Sequence, residues 1–226
     1  MLPFARPYDT DVQRLAISGD GPISILAIGA HADDIEIGCG GTLLRFAQDG
    51  RIQSIRWLVL SAAGERVAEA RAGAAAFTDG AQDIQVEIGD ARDGFFPAEY
   101  GAIKERFERL KAGPAPDLVL VPRRDDLHQD HRIVAEMAWT TFRDHLILEY
   151  EIPKWDADLS PPNAYVELTA DQIERKAALL AETFGSQADR HWFSRETFVG
   201  LARIRGIECR AAAGYAEGFH ARKVVL

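Results

Sequence analysis

Two short clusters hold side chains able to do chemistry. His31-Ala32-Asp33-Asp34 closes an apolar run, and His128-Gln129-Asp130-His131 follows far downstream; together they hold three of the six histidines. Imidazole and carboxylate are ligand types of a catalytic zinc site, in which three protein ligands leave a fourth position for water. A spare carboxylate, Asp33, would then be available as general base.

Each cluster alone has a plainer explanation. Aspartates at the start of a helix serve as caps, with His31 packed at a strand end, and H-x-D-H also suits a capped surface loop. Gly29, Gly38, Gly40 and Gly41 surround the first cluster and suggest a glycine-rich nucleotide loop. Against that, His31 stands where a dinucleotide fingerprint needs its second glycine, and Asp33 and Asp34 would repel a pyrophosphate. A cation reverses the sign of that argument. Two such clusters at equivalent places in the chain make coincidence a poor account of both.

The elements that position them come from periodicity. Residues 23–28, 55–60, 84–88 and 118–121 are short β-rich runs of buried-sheet composition. Between them, 41–48, 65–77 and 100–111 have helical character, the last with Ile103, Phe107 and Leu110 at helical spacing. This alternation predicts an α/β fold, Rossmann-like: an open, mainly parallel sheet with helices on both faces. Ligands of such sheets bind beyond the carboxyl ends of the strands, near a switch in strand order, and both clusters follow strand ends. Beyond His131 the expected elements are a helix over 133–141, strands over 146–152 and 164–168, and helices over 170–184 and 196–207, with a Pro- and Trp-bearing loop over 153–162. No linker or internal repeat interrupts the chain, so residues 1–226 are expected to form a single domain with a C-terminal elaboration.

Composition narrows the function classes. The chain has 226 residues, 47% hydrophobic and 27% charged, as in ordinary globular proteins. A formal net charge of −9 argues against a general nucleic-acid binder. Cys39 and Cys209 are isolated, so neither a disulfide framework nor a Cys-type zinc site is indicated. Residues 1–10 lack the basic and apolar regions of a signal peptide, and no apolar run approaches the roughly 18 residues of a membrane helix. A cytoplasmic protein without a membrane span is the expectation.

With these residues in view, Ala30-His31-Ala32-Asp33-Asp34, the following Gly40-Gly41-Thr42, and His128-Gln129-Asp130-His131 resemble the paired signatures of the LmbE/PIG-L family of zinc-dependent N-deacetylases. Less specific similarities are Arg66-Val67-Ala68-Glu69-Ala70 and Tyr215-Ala216-Glu217-Gly218-Phe219. The resemblance implies that His31, Asp34 and His131 hold Zn2+, or another divalent metal such as Fe2+. It implies Asp33 as general base, His128 as oxyanion stabiliser and Asp130 as the group that orients and charge-tunes His128. Arg66 is the implied substrate-binding residue, with pairing to Glu69 or Glu65 on a solvated helix face as the alternative. Where the family usually has proline, this chain has Ala32 and Gln129, which loosens the loops without removing a ligand.

The implied reaction is hydrolytic removal of an acetyl or other acyl group from the nitrogen of an N-acetylated amino sugar or its conjugate. The implied partner is that small molecule, and a homo-oligomer is left open. Two alternatives remain: a metal-dependent hydrolase of another amide or ester, and a non-catalytic sugar-nucleotide-binding module. Further candidates carry weaker expectations. Arg123 and Arg124 could receive phosphate or be simply exposed. Trp155, Tyr150 and Tyr165 could form a sugar-stacking rim, with packing the favoured account. Glu217 and His220 could approach the site, while His145 and His191 read as ordinary polar residues.

Overall fold

The computed structural model describes residues 21–224; the absence of a signal peptide, read from residues 1–10, concerns a segment outside them. The first half alternates as predicted: β1 (Ile23–His31), α1 (Asp34–Gln48), β2 (Ile52–Ser61), α2 (Glu65–Phe77), β3 (Asp83–Ile88), α3 (Tyr100–Lys111), β4 (Leu118–Pro122) and α4 (Gln129–Thr141). Then come β5 (Leu146–Tyr150), β6 (Ala164–Leu168), α5 (Ala170–Thr183), a short 3-10 turn (Gly185–Gln187), α6 (Arg195–Glu208) and β7 (Tyr215–Ala221).

All seven strands form one sheet in the order β3-β2-β1-β4-β5-β7-β6. The first five are mutually parallel, and β7 runs antiparallel to both β5 and β6. The mainly parallel sheet with a C-terminal elaboration is therefore present. Alternation along β1 builds the two cores. Ile23, Ile25 and Ala27 face Ile35 of α1, Ala70 of α2 and Leu179 of α5. Leu26, Ile28 and Ala30 face Ile103 and Phe107 of α3 and Val134 and Met137 of α4. Burial on both faces explains why the central strands read as continuous apolar runs.

The strand order reverses at β1, which lies between β2 and β4. His31 is the last residue of β1, and the loop after β4 leads to His128 and α4. The neighbouring strands thus deliver both clusters to the same crevice, at a switch point of the kind where open α/β sheets bind ligands.

Two helix starts and one strand depart most from the sequence reading. Helix α1 starts at Asp34 rather than residue 41, and α4 starts at Gln129 rather than residue 133. Glycine-rich sequence lowers helix propensity, but packing overrides it: a side chain at Gly38 would collide with the ring of Tyr150. The third difference is β7, which sequence alone did not mark as a strand.

Helix α1 is broken at Cys39, whose φ of −142° and ψ of 17° are not helical. A buried ion pair splints the break. Glu217 of β7 accepts from the Gly41 N–H at 2.8 Å, and from the Thr42 N–H and hydroxyl at 2.7 and 2.6 Å. Lys176 of α5 donates to Glu217 at 2.6 Å and to the Ile37 carbonyl at 2.5 Å. Backbone groups released by the break thereby find partners, as buried polar groups must.

Candidate metal centre and active site

Three imidazoles, His31, His128 and His131, bring ring nitrogens within 4.8 Å of one another. His31 Nδ1 lies 3.3 Å from His131 Nε2. The Asp34 carboxylate reaches both, 3.6 Å from His31 Nδ1 and 3.4 Å from His131 Nε2. One carboxylate and two ring nitrogens therefore converge on one point.

The far nitrogen of each of these rings is held by a carboxylate. His131 Nδ1 lies 2.9 Å from Asp126 Oδ2, and His31 Nε2 lies 3.1 Å from both Asp130 Oδ2 and Asp93 Oδ1. Carboxylates behind ligand histidines fix ring orientation and tautomer in metal sites. The electrostatics agree. Burial works against charging His131, yet the Asp34 charge and the Asp126 hydrogen bond push it up to about 9. Burial likewise opposes a charged His31, and its bonds to Asp130 and Asp34 raise it well above the usual value. Burial also opposes ionisation of Asp34, which the charge and hydrogen bond of His131 nevertheless hold well below the usual range. The donor set is thus built to stabilise positive charge at this point, and it fits a divalent cation that would replace protons there.

Asp33 is 5% exposed and its Oδ1 lies 2.9 Å from Arg66 Nη2. Burial raises its carboxyl to about 6, with the Arg66 charge pulling the other way. Arg66 also donates to the Ala32 carbonyl at 2.8 Å and to the Ser186 hydroxyl at 3.3 Å. Glu69 instead accepts from the Ser186 N–H and hydroxyl at 2.8 and 2.6 Å. Arg66 therefore faces the first cluster instead of pairing along its own helix.

His128 caps α4, its Nδ1 accepting from the Asp130 N–H at 3.3 Å. Its ring stacks on His131 with centroids 4.7 Å apart. Burial, then the charges of His131 and His31, lower its pKa, while Asp130 pulls it up. The Asp130 side chain is directed elsewhere than the resemblance implied: Oδ2 takes the Gly94 N–H at 2.7 Å as well as His31, and Oδ1 takes the Phe96 N–H at 3.2 Å.

Sequence reading missed Asp126 and Asp93. Asp125-Asp126 before His128 was a legible hint, whereas Arg92-Asp93-Gly94 reads as an ordinary turn. The other candidates have partners elsewhere. Arg123 is 3% exposed and held by Ser160 and Asp158; Arg124 is exposed beside Trp139. Tyr150 is fully buried, donating to the Ile28 carbonyl at 2.7 Å, and Tyr165 bonds the Pro162 carbonyl. His220 pairs with Ser160, and Glu217 serves the α1 break. Trp155 is 57% exposed, its indole N–H donating to His191.

Comparisons with known proteins bear on this arrangement. Residues 26–142 match the family model PIG-L, GlcNAc-PI de-N-acetylase. The uncharacterized deacetylase YaiS of Escherichia coli (strain K12) is 73% identical over 26 residues, 12% of this chain and 14% of that protein. The matched segment thus spans about one seventh of YaiS. Among solved structures, N,N'-diacetylchitobiose deacetylase from Pyrococcus horikoshii superposes with a TM-score of 0.62 at 19% identity, over 87% of this chain and 82% of that one. GalB, the 4-carboxy-2-hydroxymuconate hydratase of Pseudomonas putida KT2440, gives 0.66 at 17% identity, over 90% and 97%. Such distant likenesses show the fold alone, since one architecture hosts a deacetylase and a hydratase. The family match is the stronger finding: it spans more than half of the 226 residues and includes both His/Asp clusters, so the chain belongs to the PIG-L, GlcNAc-PI de-N-acetylase, family.

Proposed function

We propose that this chain is a metal-dependent N-deacetylase that hydrolyses the acetamide of an N-acetylated amino-sugar conjugate, with His31, Asp34 and His131 holding the metal. The observation that carries this reading is the convergence of Asp34 with one nitrogen of each imidazole, whose opposite nitrogens are braced by Asp130, Asp93 and Asp126. A divalent ion held by these residues, zinc by family resemblance, would supply Lewis acidity and lower the pKa of water.

The chain's own residues supply the remaining steps. Asp33, whose carboxyl burial raises to about 6, takes a proton from the attacking water and returns one to the departing amine. Arg66 holds that carboxylate at 2.9 Å and borders the site, where it meets substrate hydroxyl or anionic groups. His128 stands beside both other imidazoles and donates to the oxyanion that forms when water adds to the carbonyl. Asp130 contributes by fixing His31 and by its negative charge near His128.

Among the described residues no helix is long and apolar enough to cross a membrane. A small conjugate in the cytoplasm is the substrate we favour. The test pairs elemental analysis of wild type and Asp34→Ala with acetate release from a panel of N-acetylglucosamine conjugates and simple esters. Near-stoichiometric zinc and acetamide hydrolysis in wild type, both lost in the variant, are expected. Faster ester turnover would favour another hydrolase, and neither metal nor hydrolysis would favour a binding module.

A further inference from the structure

We infer that Lys154, on the loop between β5 and β6, is a positioning residue for the metal centre, acting on His131 through Asp126. The inference rests on the metal-centre reading above and adds a residue from a part of the chain that carries neither cluster.

The geometry is a relay through one carboxylate. Asp126 Oδ2 lies 2.9 Å from His131 Nδ1 and accepts from Lys154 Nζ at 2.9 Å. Its other oxygen accepts the His128 N–H at 2.8 Å. Asp126 is 2% exposed, and the Lys154 side chain 9%. Three donors, two from the start of α4 and one from the β5–β6 loop, fix the plane of the carboxylate, and that plane sets the rotation of the His131 ring. Rotation of an imidazole about its outer side-chain bond is otherwise soft.

Lys154 is itself anchored. It donates to Asp158 Oδ2 at 3.0 Å and Oδ1 at 3.2 Å, while Asp158 Oδ2 accepts the Leu127 N–H at 2.8 Å. The β5–β6 loop and the loop ahead of α4 are therefore stitched together directly behind His131. Lys154 also adjoins Trp155, whose indole N–H reaches His191 Nε2 at 3.1 Å. The same short stretch thus joins the metal-bearing loop on one side to the segment before α6 on the other.

A positioning role and a purely electrostatic role predict opposite signs. Removing a nearby positive charge favours binding of another cation, whereas releasing Asp126 weakens it. Outer carboxylates behind metal-ligating histidines are typically worth about 10- to 100-fold in metal affinity, and Lys154 acts one step further out.

The test is zinc affinity by competition with a chromophoric chelator, on protein whose fold is checked by circular dichroism and thermal midpoint. Lys154→Met should bind zinc about tenfold more weakly, and Lys154→Arg, which retains charge and donors, should recover most of the loss. In an Asp126→Asn background, Lys154→Met should add no further loss, because its effect passes through that carboxylate. If Lys154→Met does not fold, Lys154→Gln provides the same comparison. Unchanged or tighter zinc binding, or losses that add in the double variant, would overturn the inference. A wild-type protein that binds no zinc would instead overturn the metal-centre reading on which it stands.

Discussion

Arg66 Nη2 lies 2.9 Å from Asp33 Oδ1, joining the start of α2 to the residue that precedes α1. The contact opposes the upward push of burial on the Asp33 carboxyl. Without the guanidinium, Asp33 should take up its proton at higher pH. Because a general base works ionised, Arg66→Gln should move the acid limb of the kcat/KM profile to higher pH and reduce activity most on the acidic side. An unshifted limb in a folded, metal-loaded variant would separate Arg66 from Asp33 in function.

Asp33→Asn keeps the size of the side chain and removes the proposed base. We expect metal content to stay at the wild-type level and turnover to fall at least about a hundredfold. Single-turnover acetate release measures this, and an active variant would remove Asp33 from the mechanism.

The three histidines should separate into two classes. His31→Ala and His131→Ala, like Asp34→Ala, should lose metal by elemental analysis. His128→Ala should retain it while turnover falls by about two to three orders of magnitude, as for loss of an oxyanion donor. Metal loss in His128→Ala would place that ring in the ligand set.

Removing one member of the Lys176–Glu217 pair leaves a buried charge uncompensated. Lys176→Met should cost about 3–5 kcal/mol of stability, read from the midpoint of urea unfolding at unchanged slope. A midpoint within error of wild type would show that water replaces the lysine.

Sequence made the central strands and several helices legible because burial on both sheet faces writes apolar runs, and α2 and α3 carry strong local signals. It made the two clusters legible through residue type. The start of α1 was hidden because its glycines oppose helix locally and pack closely against side chains distant in sequence, Tyr150, Phe77 and Leu168. Strand β7 was hidden because Tyr215–Ala221 mixes Ala216, Gly218 and Ala221 with Glu217 and His220 and shows no clean apolar alternation, its partners lying on β5 and β6. Asp126 and Lys154 were hidden for a related reason: their roles exist only once two loops distant in sequence meet behind His131.

The splint at the break in α1 sets an order of events during synthesis. Both His/Asp clusters are complete once residue 131 has been made, yet the acceptor for the Thr42 N–H lies 175 residues downstream. Contacts of such long range form late and slow the search for the native state. A nascent chain would therefore carry all its candidate metal ligands well before Glu217 arrives to brace the helix that presents Asp34. Assembly of the proposed centre would then wait on completion of the sheet.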